Sequence, residues 1–133
     1  MELEAYLLKE IQHRIPADLL NAAYGETYNL ICQIEAELDE VRKITTHDIP
    51  AQLWRNTSRY VYYRIIVTMV DNLEQAKSGV AKEFYQQAMR SDYSLSIVSR
   101  RKDSANLADE ELWKIKNIWR IFWRKNQWKQ SKS

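Results

Sequence analysis

Basic side chains at a helical spacing are the residues of this sequence best suited to chemistry. Lys116, Arg120 and Arg124 recur four residues apart near the C-terminus, and Trp113 falls in the same line. Residues four apart share one side of an α-helix, so these three cations form a predicted row, which we call the basic row. Cations neutralise phosphates and release counterions, and an indole can stack on an unpaired base. The spacing therefore predicts a surface for a nucleic-acid backbone.

Other basic residues could extend this surface. Arg55 and Arg59 lie one turn apart near the start of a long helical pattern. Residues 91–105 show no clear period, so Arg100-Arg101-Lys102 is expected in an exposed loop, where it could grip phosphate. The full set of expected nucleic-acid-binding residues is Arg55, Arg59, Arg64, Arg100, Arg101, Lys102, Trp113, Lys116, Arg120 and Arg124.

The basic row also fits less specific roles. Lys and Arg stems can cover neighbouring apolar rings and give a helix a soluble face, with Trp113 packed among them. A basic helix rich in Trp is also typical of an interfacial membrane anchor, or of a helix that docks on an acidic protein. Anionic lipid would repel the acidic N-terminal third of the chain, which argues against the membrane.

Catalytic and metal-binding patterns do not stand out. His13 and His47 lie on different segments, and neither has a metal-ligand spacing with Cys32. The carboxylates within residues 35–40, including Glu37, fall on the predicted outer side of an amphipathic helix, which favours a solvated face over acid–base work. The two isolated glycines cannot build a phosphate-binding loop. We therefore expect no enzyme, no metal and no cofactor.

The composition predicts a single all-α domain over residues 1–133. The chain has only two glycines and two prolines, too few for many tight turns. Leu, Ile, Ala, Glu, Lys, Arg and Gln abound, which favours long helices with few connections. We expect a compact bundle of five or six helices. Predicted helical segments are 2–14, 16–24, 26–43, 50–76, 80–90 and 106–128, with Gly79 as a stop after the fourth and Asn106 as the N-cap of the last.

Segment 50–76 is the predicted central helix of that bundle. Its apolar residues spread over more than half of the circumference, which is typical of a helix surrounded by others. Asp48 is the expected N-cap, with Pro50 in the first turn. The other predicted helices are expected to pack around it through their apolar sides.

Charge is distributed unevenly along the chain. Residues 1–48 hold four basic and ten acidic residues, a net charge of −6, whereas residues 98–133 hold ten basic and four acidic residues, a net charge of +6. The ends either pack together and pair their charges, or form an acidic and a basic surface for partners. The N-terminus is acidic where a secretory leader would be basic, and the longest apolar run, residues 65–70, is too short to cross a bilayer. We therefore expect a cytoplasmic protein.

Three basic features are typical of one known family: Arg55, Arg59 and Tyr62-Tyr63-Arg64 in the central helix, the Arg100-Arg101-Lys102 cluster, and the Trp- and Arg-rich last helix. With them the chain resembles a small subunit of CRISPR effector complexes of the Cascade type. The likeness is one of architecture: a compact all-helical chain of this length with arginines on a bundle face. It implies a protein that lines a ribonucleoprotein, stacks as repeated copies beside other subunits, and holds guide RNA, target DNA or a displaced strand by the backbone. The family includes small subunits of the type I-D kind, which are separately translated C-terminal parts of the large subunit.

The expected function is therefore a non-catalytic subunit that binds nucleic acid through backbone contacts on a basic face. Base pairing elsewhere would read sequence, and this chain would supply positional grip. The alternative is a helical adaptor or regulator that binds protein and no nucleic acid.

Overall fold

The computed structural model describes residues 2–46, 48–75, 83 and 97–132. Within these residues the chain forms five α-helices and no strand, which confirms the all-α prediction. The helices are α1 (Glu2–Arg14), α2 (Ala17–Tyr24), α3 (Thr27–Thr45), α4 (Trp54–Gln75) and α5 (Ile97–Lys132), and a 3₁₀ turn, Ala51–Leu53, leads into α4.

Helix α4 is the centre of the bundle, as its apolar girth predicts. It packs against each of the other four helices. Its inward residues are almost completely buried, among them Val61, Ile65 and Ile66. They belong to one core cluster to which all five helices contribute. With its 3₁₀ turn the helix covers residues 51–75, within a residue of the prediction at each end.

Short-range chemistry sets the ends of the N-terminal helices. Gly25 ends α2 with φ +78°, a conformation that glycine adopts without steric cost, and its N–H donates to Asn21 O at 2.7 Å. Thr46 ends α3 in the left-handed region, with φ +61°. The predicted Asp48 cap is wrong. Pro50 holds the cap position, and the 3₁₀ turn closes when Leu53 N donates to Pro50 O at 2.9 Å.

The buried side of α3 includes one carboxylate that the sequence places outside. Leu30, Ile34, Leu38 and Val41 are buried on this side, whereas Ile31 is 38% exposed. Glu37, predicted to face solvent, is 6% exposed. Arg64 on α4 lies beside this carboxylate and provides it with a half-buried cation.

Helix α5 begins earlier than the sequence indicates, at Ile97. The predicted loop over 91–105 is therefore wrong for residues 97–105, and Asn106 is not the N-cap of this helix. Arg101 pairs with Asp71 near the end of α4, and Ser104 and Ala108 are buried against the core. Asn56, in the first turn of α4, donates to Glu111. These two contacts show that α4 and α5 run antiparallel. Arg100-Arg101-Lys102 lies within α5 and is helical.

Helix α5 is also longer than α4, against which it packs. Its 36 residues span about 54 Å, against about 33 Å for the 22 residues of α4. Since Glu111 lies beside the first turn of α4, the turns after Trp119 extend beyond the N-terminal end of α4. The apolar side of α5 is therefore covered only in part: Ile115 is fully buried, whereas Trp123 is 48% exposed.

Some predictions fall where the structure is not described. The Gly79 stop and the helix over 80–90, apart from Glu83, lie outside the described residues, as does His47. None of the helices in the described part of the chain is long and apolar enough to span a membrane.

Candidate functional site

An open groove of about 760 Å³ lies between α1 and the start of α4. We call it the α1–α4 groove. One wall comes from α1, the other from the 3₁₀ turn and the first turns of α4. Its lining residues are Tyr6, Leu7, Glu10, Ile11 and Arg14 on α1, and Ala51, Trp54, Arg55, Ser58, Arg59 and Tyr62 opposite them.

The α1 wall presents Tyr6, Glu10 and Arg14, which share a side because they are four residues apart. Leu7 and Ile11, each 1% exposed, fix the helix against the core. Tyr6 is 49% exposed, so its ring is open to the groove and to solvent. The wall is therefore a rigid helix that carries an aromatic ring at one end and a guanidinium at the other.

Arg14 connects the two walls. Its guanidinium carbon lies 5.2 Å from the centre of the Tyr62 ring on α4, within the range of a cation–π contact. Its Nε is also 3.6 Å from Glu10 Oε2. Both contacts leave the side chain 55% exposed, so the charge remains accessible to a ligand.

The α4 wall carries Trp54, Arg55 and Arg59. The Trp54 indole N–H donates to Ile49 O at 2.9 Å, which fixes the ring, and the residue is 36% exposed. Arg55 is exposed and makes no hydrogen bond or ion pair with another described residue. Arg59 Nη1 lies 4.0 Å from Glu111 Oε1, and its side chain is 43% exposed.

Glu111 is a buried carboxylate behind this wall. Its side chain is 7% exposed. It accepts a hydrogen bond from Asn56 Nδ2 at 2.9 Å, and Lys114 Nζ lies 3.7 Å away. Arg59 completes this set, so the carboxylate joins α5 to the arginine wall of the groove.

The groove is cationic and has an unused polar group. Three arginines and one glutamate among its lining residues give a net charge of +2. The Ser58 hydroxyl oxygen is shielded from solvent and has no hydrogen-bond partner among the described residues. Ser58 lies one residue before Arg59 and three after Arg55, within the stretch of α4 that lines the groove.

The basic row lies elsewhere. Lys116, Arg120 and Arg124 are exposed, and Trp113 is 66% exposed, as predicted. Arg120 follows Glu111 by nine residues, which places it about 180° around the helix from the buried carboxylate. The row thus faces away from α4 and from the groove. Arg120 donates to Asn117 on its own helix.

Two of the expected nucleic-acid-binding arginines are engaged within the fold. Arg64 Nε lies 3.4 Å from Glu37 Oε2, whose side chain is 8% exposed. Arg101 binds both carboxylate oxygens of Asp71, at 2.5 and 3.1 Å. The hydrogen bond to Asp71 raises the pKa of Arg101.

The expected surface therefore divides into separate places. Arg55 and Arg59 lie in the groove, whereas the basic row occupies the opposite side of α5. Arg100, half-buried, and Lys102, exposed, lie near the far end of α4, because Arg101 contacts Asp71 there. Lys116 is fifteen residues from Arg101, about 22 Å along the helix.

Sequence reasoning missed Tyr6, Arg14 and Trp54 as functional candidates. The signal for the first two was present, since they share a side of α1 with Glu10 between them. That signal becomes informative only when α4 is known to lie opposite. Trp54 belongs to the apolar pattern of the central helix, but its ring lies at the edge between core and groove.

No protein-family model, curated protein or solved structure matches this chain. The chemistry of the site therefore follows from its own side chains. Among the described residues no group of three or more His, Cys, Asp or Glu is placed to hold a metal ion. Guanidinium groups beside open aromatic faces suit a ligand that is anionic and contains planar rings.

Proposed function

We propose that this chain is a non-catalytic, nucleic-acid-binding subunit that holds a strand by its phosphate backbone in the α1–α4 groove. The observation that carries the proposal is the placement of Arg14, Arg55 and Arg59 around one open groove. Guanidinium groups bind phosphate oxygens through paired N–H donors, and each neutralised phosphate releases counterions. The role agrees with the resemblance to CRISPR small subunits, which would place the chain in the cytoplasm beside other subunits and further copies.

The two walls suit a strand better than a single small anion. Arg55 and Arg59 are one helical turn, about 6 Å, apart on α4, and Arg14 faces them from α1. Arginines so separated can contact successive charged groups of a polymer. Arg64 and Arg101 leave the proposed contact set because they do not line the groove and pair with Glu37 and Asp71.

A salt titration with a matched control tests this proposal. Binding of labelled single- and double-stranded DNA and RNA of equal length is measured by fluorescence anisotropy from low to physiological salt. The double variant Arg14→Gln/Arg55→Gln should reduce the slope of log K against log salt by about 1.4 for a single strand, since each phosphate contact contributes about 0.7.

The control variant, Lys116→Gln/Arg120→Gln, removes the same charge from the basic row. It should leave that slope nearly unchanged. Equal losses in the two variants would show that net charge, and not the groove, determines binding. Binding that does not weaken with salt would contradict the backbone mechanism.

A protein-binding adaptor is the second candidate, favoured by the exposed apolar side chains on α5. Ile121 is 56% and Trp123 is 48% exposed, and the Trp123 ring centre lies 6.0 Å from that of Trp119. Aromatic residues with such exposure are enriched at interface centres. An affinity purification that yields a stoichiometric protein partner without nucleic acid, and loses it in Ile121→Ser/Trp123→Ser, would favour this function.

A further inference from the structure

We infer that the α1–α4 groove contains a base-stacking subsite, in which Tyr6 and Trp54 hold the ring of an unpaired nucleotide. The inference rests on the proposed function, and it goes beyond backbone contacts because it assigns a role to the bases. The ligand class is a single strand, or a nucleotide that has left its stack.

The first observation is the availability of two aromatic faces. Tyr6 is 49% and Trp54 is 36% exposed, and both line the groove. Tyr62, the third aromatic residue, is covered on one side by the Arg14 guanidinium. The open rings are therefore Tyr6 on one wall and Trp54 on the other.

The second observation is that Trp54 offers a ring without a free donor. Its indole N–H is used by Ile49 O at 2.9 Å. The residue can therefore stack on a base but cannot read its edge with that N–H. Stacking tolerates any base because every base has a π-face, so the subsite should show little sequence preference.

The third observation is the position of cations around these rings. Arg55 follows Trp54 directly, and Arg14 lies on the wall that carries Tyr6. A strand that places its base between the walls brings its phosphates to the arginines.

A duplex does not satisfy this arrangement. Its bases are stacked on one another inside the helix, and its phosphates lie on a convex surface. A duplex can meet the arginines at the rim of the groove, but it presents no base face to Tyr6 or Trp54. The geometry therefore favours single strands over duplexes of equal length.

The test uses a labelled oligo(dT) single strand and a duplex of the same length, at one salt concentration, with the full chain. Tyr6→Ala should weaken single-strand binding at least fivefold, because stacking contributes about 1–3 kcal/mol per base. It should leave duplex binding unchanged. The matched control is Tyr28→Ala, since Tyr28 is 69% exposed on α3 and does not line the groove.

Trp54→Leu provides a second variant, with far-UV circular dichroism and urea unfolding to establish that it folds. It should reproduce the selective loss for the single strand. If both variants bind single strands as the parent does while Arg14→Gln/Arg55→Gln binds weakly, the stacking subsite is refuted and the proposed function stands. If the parent binds neither probe here, or binds them without salt dependence in the titration described above, both are refuted.

Discussion

Replacing Arg64 by Met should destabilise the fold without weakening nucleic-acid binding. The methionine keeps most of the apolar stem but removes the cation that lies 3.4 Å from Glu37 Oε2. The carboxylate, 8% exposed, would keep its hydrogen bond from Gln33 at 2.7 Å and lose its only charged partner among the described residues. Breaking a fully buried ion pair costs about 3–5 kcal/mol. Because Arg64 is 35% exposed and water can reach the vacated side, we expect a loss of about 2 kcal/mol.

Urea unfolding of a double-mutant cycle measures this coupling. The cycle comprises Arg64→Met, Glu37→Gln and the double variant, and we expect a coupling free energy of about 1–2 kcal/mol. Glu37→Gln should cost less than Arg64→Met, because an amide is less costly to bury unpaired than a carboxylate. Arg101→Met is the matched control, since its pair with Asp71 is only partly buried, with side chains 41% and 37% exposed. Its loss should be a small fraction of that at Arg64.

Two outcomes would refute this reasoning. Equal unfolding midpoints for Arg64→Met and Arg101→Met would mean that the burial of Glu37 does not depend on Arg64. A loss of strand binding in Arg64→Met with unchanged stability would return Arg64 to the set of ligand contacts.

Three further predictions concern a turn, a buried tyrosine and the basic row. Gly25→Ala should lower the free energy of unfolding by about 1–2 kcal/mol in urea, because alanine is strained at φ +78°; an unchanged midpoint would contradict this. Burial, and secondarily Glu37, raises the pKa of Tyr60 above its ordinary value of 10.0. The neutral hydroxyl therefore contributes its full share of the free energy of unfolding below about pH 10, and this share is lost as the pH rises further. Tyr60→Phe should make that decline shallower in urea titrations between pH 9 and pH 12, the rest arising from Tyr24, whose pKa burial also raises; an identical decline would exclude Tyr60 as a source. The triple variant Lys116→Gln/Arg120→Gln/Arg124→Gln should keep the parental thermal midpoint, since all three side chains are exposed; a clear decrease would reveal a structural role.

The central helix could be predicted because its burial on most sides requires a pattern of apolar residues within its own sequence. A helix that contacts neighbours on most sides needs apolar residues on most sides, and Val61, Ile65 and Val70 satisfy that need at the helical period. The end of α2 was also recorded locally, since Gly25 is one of only two glycines. Such features depend on a few adjacent residues.

The start of α5 could not be predicted because its determinants are distant. Acidic residues after Asn106 resemble the first turn of a helix, and the polar stretch before them resembles a loop. The preceding turns are held in α5 by tertiary contacts: Arg101 reaches Asp71 on α4, and Ser104 is buried at 6% exposure. Neither contact has a signature in the local sequence.

The burial of two carboxylates also could not be predicted, because it too depends on distant residues. Glu37 and Glu111 resemble solvated surface acids, because sequence does not reveal that a cation on α4 lies opposite each of them. The groove was invisible for a related reason. Arg14 and Arg55 are about forty residues apart in the chain, and only the packing of α1 against α4 makes them neighbours.

That separation makes any ligand of the α1–α4 groove a non-covalent cross-link. A strand that contacts both walls joins the first helix to the fourth, so it binds the folded chain and not the unfolded one. Mass action then stabilises the fold by about 2.7 kcal/mol when the free ligand is at one hundred times its dissociation constant. A thermal-shift screen of the parent chain against nucleic acids and other polyanions would therefore rank ligands without labels, and Arg14→Gln should reduce the shift caused by those that use this groove.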